Sequence, residues 1–154
     1  MAITKLIHMK ESRSKEKGKH LKNAVCYILN PEKTAGGLYM NSNCGCDADE
    51  IYQGMIQTKK QHGKTWGRQG YHFVISFAPG EATEETAFAV MQDFADQYLK
   101  DEYDYVYVVH NDKEHIHGHL IFNSLSYSGY KYHYKEGQWK NEIQPVTDSI
   151  CRKY

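Results

Sequence analysis

Four histidines, His110, His115, His117 and His119, fall within ten residues of the stretch from Val108 to Asn123. Three of them alternate with other residues along an otherwise apolar run. Side chains of a strand point to opposite faces with a period of two. His115, His117 and His119 therefore share one face, while Ile116, Leu120 and Phe122 point to the other. A strand that is apolar behind and lined with imidazoles in front suits a cation. Tyr105 to His110 reads as a second strand, and Asn111-Asp112-Lys113-Glu114 as the connection. With Asp112 and Lys113 at the tip, His110 lies opposite His115 and all four rings share a face. Diagonal neighbours then sit about 7–8 Å apart, within reach of one ion at about 2.0–2.1 Å per nitrogen. This geometry does not choose which three rings bind. Three neutral imidazoles leave an ion close to its full charge and with open coordination positions, which is the style of a catalytic site.

Other elements must position this hairpin. A chain of 154 residues with 40% hydrophobic content reads as one folded domain, residues 1–154. Ile3 to His8 reads as a strand, followed by a basic loop from Lys10 to Lys19. Leu21, Ala24, Val25 and Ile28 form a helical stripe that Pro31 ends, with Tyr27 at the edge of the stripe. Leu38 to Asn41 follows the Gly36-Gly37 break as a short strand. Asp47 and Glu50 resemble a capping box for a helix that runs to about Gln61 and stops at Gly63. Gly63 to Gly70 reads as a loop and Tyr71 to Phe77 as a strand, with His72 on one side. Thr83 caps a helix whose apolar face is Ala87, Met91, Phe94, Ala95 and Tyr98. Tyr130 to Tyr134 adds an edge strand, and Ile143 to the end a last helix. The expected architecture is α+β: a mainly antiparallel sheet with helices packed on one face and the metal on the front.

Net charge is zero, but its distribution is uneven. Residues 1–33 carry eight Lys or Arg against three acids. Lys59, Lys60, Lys64 and Arg68 form a second basic cluster. The acids concentrate between Glu81 and Asp104, so a dipolar molecule can bind phosphate on one side. The 13 tyrosines suit a surface that stacks on bases or sugars, although packing accounts for many of them. Cys26, Cys44, Cys46 and Cys151 follow no zinc-finger spacing, and Cys44-Gly-Cys46 fits a turn before a helix. With no apolar run of signal or membrane length, a cytoplasmic location and no membrane insertion are expected.

The run from His110 to His119, continuing Leu120-Ile121-Phe122-Asn123, resembles the HxDxxHxHxH…N metal motif of relaxases. These are the mobilisation nucleases of conjugative plasmids and integrative elements, in the HUH endonuclease superfamily. The segment Asn23 to Thr34 is similar to the one carrying the family's nucleophilic tyrosine. Thr58 to Lys64, Gly70 to Phe77 and Pro79-Gly80-Glu81 resemble the middle of the same domain. The resemblance implies the relaxase-type α+β fold, with His110, His117 and His119 as ligands and Tyr27 as nucleophile. It implies that Asp112 orients a ligand or helps accept the phenolic proton. His115, His72 and Asn123 become residues behind the ligands or contacts to DNA, and Lys59, Lys60, Lys64 and Arg68 DNA contacts. Family members usually carry further domains, so the chain reads as the N-terminal part of a longer protein.

The implied reaction is site- and strand-specific nicking of single-stranded DNA at an origin of transfer, through a 5′-phosphotyrosine. A phenol, ionising near 10 as a class, is a weak nucleophile at neutral pH, and a divalent ion polarising the phosphate compensates. The family favours Mn²⁺ or Mg²⁺. Imidazole ligation alone leaves Zn²⁺ and other transition ions open and ranks Mg²⁺ last. Expected partners are accessory relaxosome proteins and a type IV secretion coupling protein. The competing readings are an HUH replication initiator or transposase, a non-catalytic metal or DNA-binding module, and a zinc hydrolase that needs no tyrosine.

Overall fold

Runs of β-branched and aromatic residues, such as Tyr105–His110 with its three valines, fit a pleated surface buried on both sides. The structure is a computed structural model and describes residues 3–9, 18–30, 39–111, 115–135 and 137–154. Strand β1 (Ile3–His8) precedes helix α1 (Lys19–Ile28), β2 (Met40–Ser42), α2 (Ala48–Gln61), β3 (Gly70–Ser76) and α3 (Glu84–Phe94). A π-helical turn, Ala95–Leu99, extends α3. Then come β4 (Tyr105–His110), β5 (His117–Asn123), a second π-helical turn (Trp139–Ile143) and α4 (Gln144–Cys151).

The five strands form one sheet in the order β1-β3-β5-β4-β2, every neighbouring pair antiparallel. The α+β class and the antiparallel sheet are those expected from the sequence. The helices, however, divide between both faces instead of lying on one. Phe73, Ile75, Tyr107, Val109, Leu120 and Phe122 pack against α3 and α4. Val106, Val108 and Ile121, one position out of phase, pack against Leu21, Val25 and Ile28 of α1 and Ile51 and Met55 of α2. The reason is visible in the strands, which are apolar at successive positions and need cover on each side. The histidine-bearing face is thus partly roofed by α1 and α2.

Local signals explain the helix starts. Asp47 accepts a hydrogen bond from the Glu50 amide at the start of α2, and Glu50 reaches back to the Cys46 amide. Thr83 caps α3 by accepting from the Thr86 amide. Gly118, between two histidines, faces α3. A Cβ there would run into the Met91 side chain, so glycine lets α3 lie close against β5 without displacing that methionine. Tyr130 to Tyr134, expected as an edge strand, makes only a single bridge, Lys131 with Leu125. Of the short strand expected over Leu38 to Asn41, Leu38 lies outside the described residues, and β2 covers Met40–Ser42. All four cysteines are free, and Cys44 turns its thiol toward the Ser42 hydroxyl. Among the described residues no helix is long and apolar enough to cross a membrane.

Candidate functional site

The hairpin register decides which histidines meet. β4 ends at His110 and β5 begins at His117, and these two residues are directly paired. His119, two residues on along the central strand, lies on the same face. The ring centroids of His110 and His119 are 4.2 Å apart, those of His117 and His119 5.2 Å, and those of His110 and His117 5.6 Å. One ring nitrogen from each lies within 4.8 Å of the others. His110 and His119 are buried and His117 is half-buried, so the cluster opens on one side only.

Hydrogen bonds fix which nitrogen each ring can offer. A carbonyl oxygen only accepts, so Nε2 of His110 carries the proton that it shares with the Ile28 carbonyl, at 2.8 Å. Nδ1 is then the nitrogen His110 presents to a cation. His117 donates from Nδ1 to the His115 carbonyl at 2.9 Å and presents Nε2. Nδ1 of His119 lies 2.7 Å from Nε2 of His72, and its Nε2 is fully buried. Burial and the neighbouring His110 pull the His72 imidazole down to about 4, which keeps that ring neutral and able to accept from His119. A ligand ring oriented by a hydrogen bond from its other nitrogen is the usual construction of a metal site. The donor set therefore fits a divalent cation held by three imidazoles, with room for further ligands on the open side.

Tyr27 lies in the last turn of α1, half exposed, with its ring centroid 6.3 Å from that of His110 in an edge-on arrangement. The same helix end supplies the carbonyl that receives the His110 proton, so α1 is tied to the cluster through the residue next to Tyr27. Asn111, just after His110, donates to Glu84 at the start of α3, which holds the end of β4 from the opposite face.

Several expected site residues lie elsewhere. His115 does not oppose His110, because the strands break off six residues apart. Its ring is exposed outside β5 and only its carbonyl serves the cluster. Asp112 lies outside the described residues. Asn123 is fully buried four positions beyond His119, about 13 Å along the strand. There it donates to the Met55 carbonyl and to Asp104, and so ties β5 to α2 and to the chain before β4. Lys59 is also fully buried, away from any surface that DNA could reach in this structure. It continues the inward face of α2 after Ile51, Tyr52, Met55 and Thr58, and burial lowers its ammonium to about 7. Lys60 is exposed, and Lys64 and Arg68 are half-buried. All three belong to the Gly70 end of β3, six residues from the Ser76 end where the histidines are, or about 20 Å.

Two features of the site went unread. Ser76 is paired with His117 and so faces the cluster; the mixed sequence of β3 gave no sign of it. The Ile28 carbonyl is a backbone group and leaves no trace in residue types.

Comparison with known proteins adds an independent finding. The family described as "Relaxase: MobA/VirD2-like, nuclease domain" matches residues 27–154. A Staphylococcus aureus protein named "Protein rlx" is 29% identical over 113 residues, covering 73% of this chain and 36% of that protein. A second of the same name and species is 31% identical over 113 residues, 73% of this chain and 35% of that one. The "Group II intron-interrupted relaxase LtrB" of Lactococcus lactis subsp. cremoris is 26% identical over 173 aligned positions, 88% of this chain and 31% of that protein. The chain spans about a third of the length of these relatives.

Proposed function

From the premise that the chain belongs to the MobA/VirD2-like relaxase nuclease family, we propose that it nicks single-stranded DNA at an origin of transfer with Tyr27 as nucleophile. Relaxases of this family are DNA-nicking enzymes of mobilisation and conjugation, and the reading assigns that chemistry to particular atoms here. The observation that carries it is the placement of the half-exposed Tyr27 ring 6.3 Å from that of His110, one of three converging imidazoles.

In the proposed step the Tyr27 oxygen attacks phosphorus. A phosphotyrosine bond forms and the bond from phosphorus to the 3′-oxygen breaks. The phenol gives up its proton and the departing 3′-oxygen gains one, leaving a free 3′-hydroxyl. One phosphodiester replaces another, so the step can run backwards and rejoin the strand. His110, His117 and His119 would hold a divalent cation, which when bound polarises the non-bridging oxygens of the scissile phosphate. His72 keeps His119 in its tautomer, and the His115 carbonyl does the same for His117. The His110 hydrogen bond to Ile28 keeps the turn bearing Tyr27 against the cluster. Asp112, the acceptor that the family motif suggests for the phenolic proton, remains a proposal from sequence. Mn²⁺ suits three nitrogen ligands better than Mg²⁺, which prefers oxygen, and Zn²⁺ is a further occupant of such a donor set. A cytoplasmic site of action and assembly with accessory relaxosome proteins and a secretion coupling protein complete the reading.

The test is a denaturing gel with 3′-labelled single strands from candidate transfer origins, in the presence of Mn²⁺. Label should migrate with the protein and vanish in Tyr27→Phe, while DNA binding survives. Binding with no adduct supports a non-catalytic module. Cleavage that survives Tyr27→Phe supports a hydrolase. Nicking confined to rolling-circle replication origins supports an initiator.

A further inference from the structure

The end of the sheet farthest from the histidines carries its own concentration of aromatic and basic groups. Two loops meet there, residues 62–69 before β3 and 125–135 after β5. They are clamped by polar bonds to main chain: Lys131 Nζ donates to the carbonyls of Trp66 and Arg68, and Lys64 Nζ to that of Gly129. Although their backbone is held, these loops leave Trp66 56% and Tyr130 57% exposed. Exposed aromatics on loops that also carry Lys64, Arg68 and Lys131 have the composition of a surface that stacks bases and tracks phosphates. Arg68 lies over the Tyr71 ring, and Tyr71 donates to the Tyr132 carbonyl, which joins the basic loop to the tyrosine cluster behind it.

Tyr130 also lines a cavity of about 480 Å³, within the usual range for ligand clefts. Tyr98, Tyr103 and Tyr132 contribute to its walls, and Gln138, Asn141 and Glu142 give it a polar edge. Gln138 donates to the Tyr98 and Tyr132 hydroxyls and to Glu142, so the edge is held in place. The cavity is aromatic, and carboxylates at Glu102 and Glu142 disfavour a phosphate inside it. A planar, uncharged ligand with both donors and acceptors on its rim fits this lining, and a nucleobase is such a ligand. Lys135 and His133 also line the cavity, and the phosphates of the same strand would run along that side toward the basic loop.

We propose that this end of the sheet is a second single-stranded DNA site, where bases stack on Trp66 and Tyr130 and one base enters the tyrosine-walled cavity against Asn141 and Glu142. It rests on the reading of the chain as a DNA-nicking enzyme, whose scissile phosphate lies at the histidines. The cavity belongs to the α3 and α4 face at one end of the sheet and the histidines to the α1 and α2 face at the other, so a strand must pass round the sheet to occupy both, and a short oligonucleotide reaches only one.

The test is fluorescence anisotropy of mixed-sequence strands of 6 and 24 nucleotides, at fixed salt and with chelator present to prevent nicking. The wild-type chain should gain at least about tenfold in affinity on lengthening, and tryptophan emission should fall with the long strand only, a fall that Trp66→Ala abolishes. Trp66→Ala with Tyr130→Ala should remove about tenfold of that gain, and Asn141→Ala should reduce it further. Trp66 and Tyr130 are more than half exposed, so circular dichroism melts should match wild type and separate lost binding from lost fold. Equal affinity of the variants and wild type for the long strand would overturn the proposal. So would an equal gain with a 24-base-pair duplex, whose bases are not available to stack. Adduct formation at Tyr27 is read separately. Its absence would overturn the nicking reading while the length dependence stands or falls by its own measurement.

Discussion

Replacing Lys59 by methionine removes a cation that the fold buries completely, and stability should rise as a result. The Lys59 ammonium is inaccessible, makes no hydrogen bond to the described residues and is lowered to about 7 by burial and by the neighbouring Lys131, against a partial offset from Asp104. In the unfolded chain a lysine ionises near 10.4. Between these values the unfolded state holds more protons than the folded one, so stability increases with pH through this window. Integrating the linkage relation gives a gain of about 2 kcal/mol from pH 7 to pH 9. Below pH 7 both states are protonated and the cost of the buried charge is present in full. Asp104 does not need this lysine, because Thr58, Asn123 and Tyr127 all donate to its carboxylate. Methionine matches the lysine stem and leaves no unpaired ammonium behind. The assay is urea unfolding of wild type and Lys59→Met at steps from pH 6 to pH 9.5. The difference between the two curves should be largest at the acid end of this range and shrink by about 2 kcal/mol from pH 7 to pH 9. Parallel curves, or a variant less stable than wild type at pH 7, would refute the assignment of a buried, readily neutralised amine.

Other expectations follow from the same geometry. His117→Ala or His119→Ala should abolish tight Mn²⁺ binding in calorimetric titration, whereas His115→Asn, which keeps the carbonyl that orients His117, should retain it. His72→Ala should weaken metal binding about 10–100-fold, since His119 loses the ring that orients it. Gly118→Ala should lower unfolding stability by about 1–3 kcal/mol, as the new methyl meets Met91. Asn123→Ala should cost about 1–3 kcal/mol in urea unfolding without a specific loss of metal affinity, because it serves Asp104 and Met55 and not the histidines.

The sequence carried the antiparallel sheet, the α2 and α3 caps and the histidine face, because each leaves a periodic or positional mark on residue types. Alternation put His115, His117 and His119 on one face, and only the family resemblance singled out His117 and His119. The partner of His110 was not legible, because the place where a hairpin breaks depends on the connection, and a shift of two residues replaced His115 with His117. Lys59 was misread for a related reason. In a Lys-Lys pair on a helix, one residue turns inward when the apolar stripe reaches it, and composition cannot say which. Asn123 followed the family motif toward the site, while its own side chain is taken up by Asp104, whose burial nothing in the acidic stretch announced. Helices on one face only were expected from the alternation of the histidine strand, whereas Val108 and Val109 of β4 are adjacent and need cover on both sides.

In the proposed reaction the Tyr27 hydroxyl and the three imidazoles act on one phosphorus, and mass spectrometry of proteolysed protein after incubation with Mn²⁺ and transfer-origin DNA tests this. A peptide containing Tyr27 should gain the mass of a 5′-linked nucleotide, and the gain should be absent when Mn²⁺ is chelated. Cleaved DNA with an unmodified Tyr27 peptide, or an adduct on a different tyrosine, would contradict it.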